Sequence, residues 1–366
     1  MIQVEELDWR SFLDRPALPP PSTDVLDALC RESILITGAG GSIGAALARR
    51  LAALAPRALL LLDASEGNLY SLDRQLGGCA TAGATCPILG SVADRPLLKE
   101  LFFTHVPRVV FHAAAFKHVP LMETQPLAAI ANNIFGTETL VKAASTHGAR
   151  VVLLSTDKAV EPSSVMGATK RVAEQIVLAS GGIVLRLGNV LASRGSVVEV
   201  FARQIMQGRP VTVTSRTATR YFLTLDEAVN LLISAAMVTE PSSILAPLLM
   251  QTTIVADLAR FMIQMLGGGQ TRGISFVGLR PGDKENERLW AAGDTTRPSE
   301  ERGLTFIETA QATSAHLESS LSNLRTALDA RDVAASLKHL QTMVPDYTPS
   351  PTVQLLAQQH RQLAST

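Results

Sequence analysis

The sequence predicts an α/β protein built on a doubly wound parallel sheet, with a smaller C-terminal region after it. Three observations predict it. Short apolar runs without alternation recur at Ser33 to Thr37 (SILIT), Ala58 to Leu62, Arg108 to His112 (RVVFH), Arg150 to Leu154 (RVVLL) and Ile183 to Arg186. Such runs fit parallel strands covered on both faces. Stretches with apolar residues at helical spacing separate them: Gly44 to Leu54, a segment after Asn132, and a long one from Val165 to Leu178. The first run ends in glycines that open the first helix.

Taken in order, residues 1–30 read as an N-terminal arm whose proline-rich stretch, Leu18 to Pro21, is an extended lead-in. The folded core is expected to begin near Arg31, and residues 31–188 carry the strand–helix repeats. Beyond Gly188 the chain turns to loops rich in Gly, Arg and Thr, with isolated helices at Asp226 to Val238 and Val255 to Leu266. Residues 189–313 therefore read as a smaller binding region, partly interwoven with the core. Residues 314–366 form a helical tail, with periodic leucines and alanines from Ser314 to Leu340 consistent with one or two amphipathic helices.

Bulk composition narrows the partners. With 46% hydrophobic and 18% charged residues, 366 residues bury a large core. Lys+Arg and Asp+Glu both number 33, so no net field gathers a polyanion, and nucleic acid is not expected. Cys30, Cys79 and Cys86 are an odd count without metal-ligand spacing, which suits a reduced cytoplasm. The first fifteen residues lack a signal-peptide pattern, and the apolar stretch Ala228 to Val238 is too short to span a bilayer. No membrane insertion and a cytoplasmic location are expected.

The segment Thr37-Gly38-Ala39-Gly40-Gly41-Ser42-Ile43-Gly44 follows a strand and opens a helix, the setting in which such glycines bind phosphate. Gly38 allows the tight turn, Gly41 admits a pyrophosphate to the backbone, and Gly44 permits close helix packing. The helix N-terminus supplies amide donors and a favourable dipole. Asp63 ends the second strand, where a carboxylate accepts from adenosine ribose hydroxyls and repels a 2′-phosphate. That favours NAD; Arg49 and Arg50, in the first helix, are the residues that could reverse the preference toward NADP.

The strand at Arg150 runs into Ser155-Thr156-Asp157-Lys158, and Met166-Gly167-Ala168-Thr169-Lys170 follows eight residues after Lys158. At the C-terminal edge of a parallel sheet such residues face the cofactor crevice. Adjacent Asp157 and Lys158 tune each other's pKa and suit paired acid and base work. Lys170, on a helix, is placed to hold the nicotinamide ribose. Arg194, Arg220 and Arg280 stand in three separate loops, and the planar arginine fork suits a diphosphate. His112 and His118 lie six residues apart with no Cys or acid between them, so no metal site is expected.

Six collinear blocks carry a family resemblance: TGAGGSIG at Thr37, FHAAAFKHVPLME at Phe111, STDKAVEPSSVMGATK at Ser155, RLGNVLASRGSVV at Arg186, TRYFLT at Thr219 and RPGDK at Arg280. From about Val4 to about Pro351 the chain resembles the polysaccharide-biosynthesis branch of extended short-chain dehydrogenase/reductases, which includes UDP-N-acetylglucosamine 4,6-dehydratases. The resemblance implies a Rossmann-like doubly wound sheet and a tightly bound NAD or NADP that is recycled. Hydride leaves carbon 4 of a UDP-amino sugar, water is eliminated across carbons 5 and 6, and hydride returns to carbon 6.

By motif position the resemblance makes Lys158 the base at carbon 5, Asp157 the acid at the carbon 6 hydroxyl, Thr156 a donor to the carbon 4 oxygen, and Lys170 the ribose anchor. Ala113 and Ala114 join Gly38, Gly40, Gly41, Ser42, Ile43, Gly44 and Asp63 at the cofactor. Lys117 and His118 belong to a substrate-facing loop, with Asn133 in the framework of the site. Asn189, Arg194, Ser196 and Thr212 line the UDP site, Arg220 lies close by, and Arg280 clamps phosphate. Two departures stand out. Ser91 occupies the place of an aspartate that meets adenine. Met166 replaces the tyrosine of Tyr-x-x-x-Lys, and a thioether cannot take the carbon 4 hydroxyl proton; a sub-branch of these dehydratases carries methionine there. Lys158, Asp157 or a relayed water are the candidates for that step.

Two other readings compete: an epimerase or 4-keto reductase on a related UDP-sugar, and a non-catalytic protein that binds NAD(P) or a sugar nucleotide. Family habit and the leucine-periodic tail point to a homo-oligomer.

Overall fold

The structure, a computed structural model, describes residues 4–77, 85–248, 251–267, 273–309 and 316–364. Cys79 lies outside the described residues. In chain order the strands are β1 (Ser33–Thr37), β2 (Ala58–Asp63), β3 (Thr85–Leu89), β4 (Val109–His112), β5 (Arg150–Thr156), β6 (Ile183–Leu187) and β7 (Asn189–Val190). They continue with β8 (Val211–Val213), β9 (Thr219–Leu223), β10 (Ser243–Pro247), β11 (Thr252–Ile254), β12 (Ile274–Phe276), β13 (Thr295–Pro298) and β14 (Leu304–Glu308).

Nine of them form one sheet in the order β13-β14-β10-β6-β5-β4-β1-β2-β3. From β3 to β10 every pairing is parallel, and β14 and β13 add antiparallel strands at one edge. The fold is a Rossmann-like doubly wound sheet, as the apolar runs predict. The physical reason is visible strand by strand. Leu35, Leu60, Leu62, Val110, Val151 and Leu153 point into one core, while Ile34, Ile36, Leu59, Leu61, Phe111 and Val152 point into the other. Helices cover both faces, so neither parity can be polar. Each such side chain contributes roughly 1.5–3 kcal/mol on burial. The edge strand β3 escapes the apolar-run criterion because TCPIL is only partly buried and carries Pro87, a residue confined to sheet edges.

The strand order reverses between β1 and β4, which pair through Thr37 and His112. In an open parallel sheet, ligands bind beyond the strand ends at such a reversal. A smaller region lies on that side: β7, β9 and β11 form a three-stranded sheet and β8 pairs with β12. The helices Val197–Met206 and Val255–Leu266 back it through a third apolar cluster.

The N-terminal segment departs from expectation. The core does not wait for Arg31: Val25 and Leu29, on the helix Thr23–Cys30, join the main core, and Leu7 and Trp9 join the third cluster. Arg15 forms a buried bidentate pair with Glu227 at 2.8 and 2.9 Å. The prolines at 19–21 lie between two anchored stretches, a distinction local composition does not encode. The tail holds three helices, Leu317–Asp329, Val333–Met343 and Pro351–Ala364. No helix among the described residues is long and apolar enough to cross a membrane.

Candidate active site

The turn after β1 is shaped by what a side chain would strike. Gly38 has φ +68°, and a Cβ there would come within 2.8 Å of the Ala114 amide nitrogen. At Gly40 it would meet Asn68 Cβ at 2.6 Å, and at Gly44 the Gly38 carbonyl at 2.1 Å. The turn therefore wedges between the residues after β4 (Ala113, Ala114) and the helix Glu66–Gln75. The helix Ser42–Ala52 starts at Gly41 without a side-chain cap, and Ile43 packs partly buried on the core. Uncapped first-turn amides and a glycine floor fit the diphosphate of a dinucleotide. Asp63 shapes the turn: its Oδ2 accepts from the Gly40 N–H and its Oδ1 from the Ser65 N–H, both at 2.8 Å. Only its remaining lone pairs are left for a ligand hydroxyl. Ser91 accepts from the Ala93 N–H.

Beneath the turn a buried chain of hydrogen bonds fixes the crevice floor. Thr137 Oγ1 donates to the Asn133 carbonyl at 2.6 Å, so His112 Nε2, 2.9 Å away, is the donor to Thr137. Nδ1 then accepts from Thr37 Oγ1 at 2.7 Å. Burial, then the charge of Lys170, lowers the His112 pKa from 6.5 to about 3, which keeps the ring neutral. Asn133 is braced on every side: its Oδ1 accepts from Phe116 N–H, and its Nδ2 donates to Phe116 O and Thr169 Oγ1. With 1% exposure it has nothing left for a substrate; it ties the 113–118 loop to the helix Val165–Ala179.

That helix and β5 make the corner that holds Asp157 and Lys158. A Cβ on Gly167 would lie 2.2 Å from the Lys158 carbonyl, so glycine lets the helix press against the Asp157–Lys158 backbone. The connecting loop bends through Glu161 at φ +43°. It is held by Lys284 Nζ on Val160 O, Ser163 Oγ on Gly282 O, and Thr348 N–H on Pro162 O. Asp157 is fully buried, and its Oδ1 accepts from Thr156 Oγ1 and Lys158 Nζ, both at 2.9 Å. Its Oδ2 is buried with no hydrogen-bond partner among the described residues. Burial raises its pKa against the pull of Lys158. Lys158 Nζ also donates to Asn189 Oδ1 at 3.2 Å and lies 3.6 Å from Glu287.

Burial alone would lower the Lys158 pKa, but Asp157 and Glu287 outweigh it and hold the ammonium above its ordinary range. At rest Lys158 is therefore an acid, and a base role at carbon 5 requires it first to lose a proton. Lys170 donates to the Leu154 carbonyl at 2.8 Å, and burial, partly offset by Glu174, lowers it to about 8. Met166 is 3% exposed within the apolar core, so its place is packing rather than catalysis.

The substrate-side expectations divide. Asn189 joins Lys158, and Ser196, at the start of the helix Val197–Met206, keeps a buried hydroxyl without a partner. Thr212 is exchanged with the Gln204 amide through both its hydroxyl and its N–H. Arg220 does not face a diphosphate: its donors go to the carbonyls of Thr219, Lys284 and Glu285 at 2.7–2.9 Å. It holds the stretch that presents Glu287 to Lys158. Arg280 is paired with Asp283 and largely exposed. Lys117 reaches the Arg194 carbonyl, and His118 abuts Gly195. Arg194 sits on the cofactor side, bonded to Ser42 and Asn68. Among the described residues no group of three metal-ligating side chains exists.

Sequence reasoning missed Glu287, 3% exposed and shared between Lys158 and Lys284 at 3.6 and 3.2 Å. Its one signal is an acid just beyond RPGDK. It also missed Tyr221, whose phenol is held above its ordinary range by burial and then by the charge of Asp157.

Known proteins share this architecture. A family model described as polysaccharide biosynthesis protein matches residues 34–309. The chain is 38% identical over 296 residues to a probable polysaccharide biosynthesis protein EpsC of Bacillus subtilis, covering 78% of this chain and 50% of that protein. It is 39% identical over 298 residues to the capsular polysaccharide biosynthesis protein CapD of Staphylococcus aureus, covering 78% and 49%. The chain thus spans about half the length of these two relatives. A UDP-glucose 4-epimerase of Rickettsia canadensis is 34% identical over 280 residues, covering 73% and 80%. The solved structure of Pen from Bacillus thuringiensis superposes with a TM-score of 0.72 at 26% identity, over 77% of this chain and 89% of that one. Since the matched stretch contains the sheet, the glycine turn and the Asp157–Lys158 corner alike, the chain belongs to the polysaccharide biosynthesis protein family.

Proposed function

We propose that the chain is a nucleotide-sugar 4,6-dehydratase that uses a recycled NAD or NADP and converts UDP-N-acetylglucosamine, or a close UDP-amino sugar, to a 4-keto-6-deoxy product for surface polysaccharide. The observation that carries the reading is the buried Asp157–Lys158 pair with Asp157 Oδ2 left bare. An unpaired buried carboxylate oxygen costs several kcal/mol unless it is protonated or meets a ligand. A relative named UDP-glucose 4-epimerase supports a nucleotide-sugar substrate, and a dTDP-glucose 4,6-dehydratase with bound NAD shares the fold.

Held by its diphosphate at the glycine turn, NAD or NADP would supply the hydride acceptor for carbon 4 and the hydride donor for carbon 6. The protein supplies the proton traffic. Passing one proton from Lys158 Nζ to Asp157 across their 2.9 Å hydrogen bond yields a free amine and a carboxylic acid together. Burial works toward that neutral pair, while the charges of Asp157 and Glu287 oppose the transfer in the resting site. As hydride leaves carbon 4, the carbon 4 hydroxyl proton passes to a relayed water. The amine takes the carbon 5 proton, and the Asp157 carboxylic acid protonates the departing carbon 6 hydroxyl so that water leaves. Lys158 returns the proton to carbon 5 as hydride reaches carbon 6, the acid regaining its proton from solvent. Thr156, whose hydroxyl now donates to Asp157, turns to the carbon 4 oxygen as the acid forms. Lys170, on the Leu154 carbonyl, stands behind as the ribose anchor.

Incubation of the purified chain with UDP-N-acetylglucosamine and NAD, followed by mass spectrometry, tests this. Loss of one water is expected. A product of unchanged mass would replace the reading with epimerisation, which the Rickettsia relative favours; no turnover with cofactor bound would remove catalysis altogether.

A further inference from the structure

We infer that Arg194 serves the dinucleotide's diphosphate rather than the sugar nucleotide, and that its loop latches the dinucleotide in place between turnovers. The inference rests on the dinucleotide reading above. The loop 192–196 leaves the smaller region and crosses back over the glycine turn, reversing twice through Ala192 at φ +58° and Gly195 at φ +69°. Each end of the crossing is tied. The Arg194 N–H donates to Ser42 Oγ at 2.9 Å, on the first residue of the phosphate-facing helix. The Arg194 carbonyl accepts from Lys117 Nζ at 2.7 Å, and the Gly195 N–H donates to Glu199 Oε2 at 2.8 Å. A Cβ on Gly195 would strike His118 Cε1 at 2.5 Å, so the loop lies flat against the 113–118 stretch.

The guanidinium is placed accordingly. Arg194 Nη1 donates to Asn68 Oδ1 at 2.8 Å, and Asn68 is the residue that a Cβ on Gly40 would meet. The cation therefore lies beside the glycine turn at Asn68, with its backbone tied to the first residue of the helix. Only Nη1 has a partner among the described residues, which leaves most of the donor fork for an anion. Helix amides and a guanidinium at one turn make a site for a diphosphate. A cofactor that is oxidised again within each cycle never has to leave, so a latch across its exit obstructs nothing in the reaction.

The full chain carrying Arg194→Gln tests the inference. Arg194 is exposed, so the variant is expected to fold. Protein loaded with NADH is chased with excess NAD while NADH fluorescence is followed, and UDP affinity is measured separately by calorimetry. Release is expected to speed up about 10- to 100-fold, the loss of one charge-assisted contact, with UDP affinity within about two-fold. Arg194→Lys, which keeps charge without the fork, is expected to fall between. Unchanged release, or a loss of UDP affinity larger than the gain in release, overturns the inference and returns Arg194 to the substrate diphosphate. If the unmodified chain takes up neither NADH nor NADPH, the dinucleotide reading itself fails.

Discussion

Two buried clusters of charge meet at the end of β5, one through Ser155 and the other through Asp157, and they are built in opposite ways. In the first, Glu174 takes four donors, from Ser155, Arg171 and twice from Arg186, at 2.6–2.9 Å. Burial would raise its pKa, but the two arginines and Ser155 bring it down to about 2. In the second, Asp157 takes both of its donors on one oxygen, leaves the other bare, and is pushed up instead. Glu174, on the helix Val165–Ala179, is thus a satisfied brace against Ser155, while Asp157, just past the end of β5, keeps an oxygen to spare. Complete satisfaction fixes structure, and incomplete satisfaction is where chemistry has room.

The contrast breaks most sharply by substitution. Asp157→Asn or Lys158→Ala is expected to lower turnover by roughly 10²–10⁴-fold while the melting temperature moves little; a variant that kept its rate would remove the corner from catalysis. Glu174→Ala should do the reverse. It strands Arg186, which also donates to the Leu289 carbonyl, and is expected to destabilise the fold by about 3–5 kcal/mol in denaturant titration.

Acid sharpens the comparison. Because the folded Glu174 lies below its ordinary 4.5, its stabilisation is full above that pH and is lost as pH falls toward about 2. His112 is a base with a lowered pKa, so between 6.5 and about 3 the unfolded chain holds one more proton than the folded one. Unfolding free energy should fall with pH there by about 1.4 kcal/mol per unit from this residue, and His112→Gln should flatten that slope. The smallest effect is set by an exposed pair: breaking Arg260–Asp257 on the helix Val255–Leu266 by Asp257→Asn should change stability by less than about 0.5 kcal/mol. A larger change would mean that exposure does not separate structural from idle ion pairs here.

How much of this was legible depends on distance along the chain. The strands declared themselves because burial on both faces demands apolar residues at every position, as in β1 and β2. The catalytic corner was legible for a similar reason: Thr156, Asp157 and Lys158 bond to one another as neighbours. Roles that hang on remote partners were misplaced. Arg220 looked like a phosphate ligand until the carbonyls of Lys284 and Glu285 took its donors. Asn133, read as part of the site's framework, has its donors on Phe116 and Thr169.

By itself the sequence determined the parallel sheet, the glycine turn and the acid–base pair, because each follows from the chemistry of residues that are adjacent or periodic. Only the tertiary structure decided that Glu287 holds Lys158 as an ammonium, that Met166 is packing, and that Arg194 lies over the turn at Ser42 and Asn68. Those contacts join residues 126 and 152 positions apart in the case of Arg194. Which donor finds which acceptor at such separations is set by how the two regions pack, and no local pattern carries it.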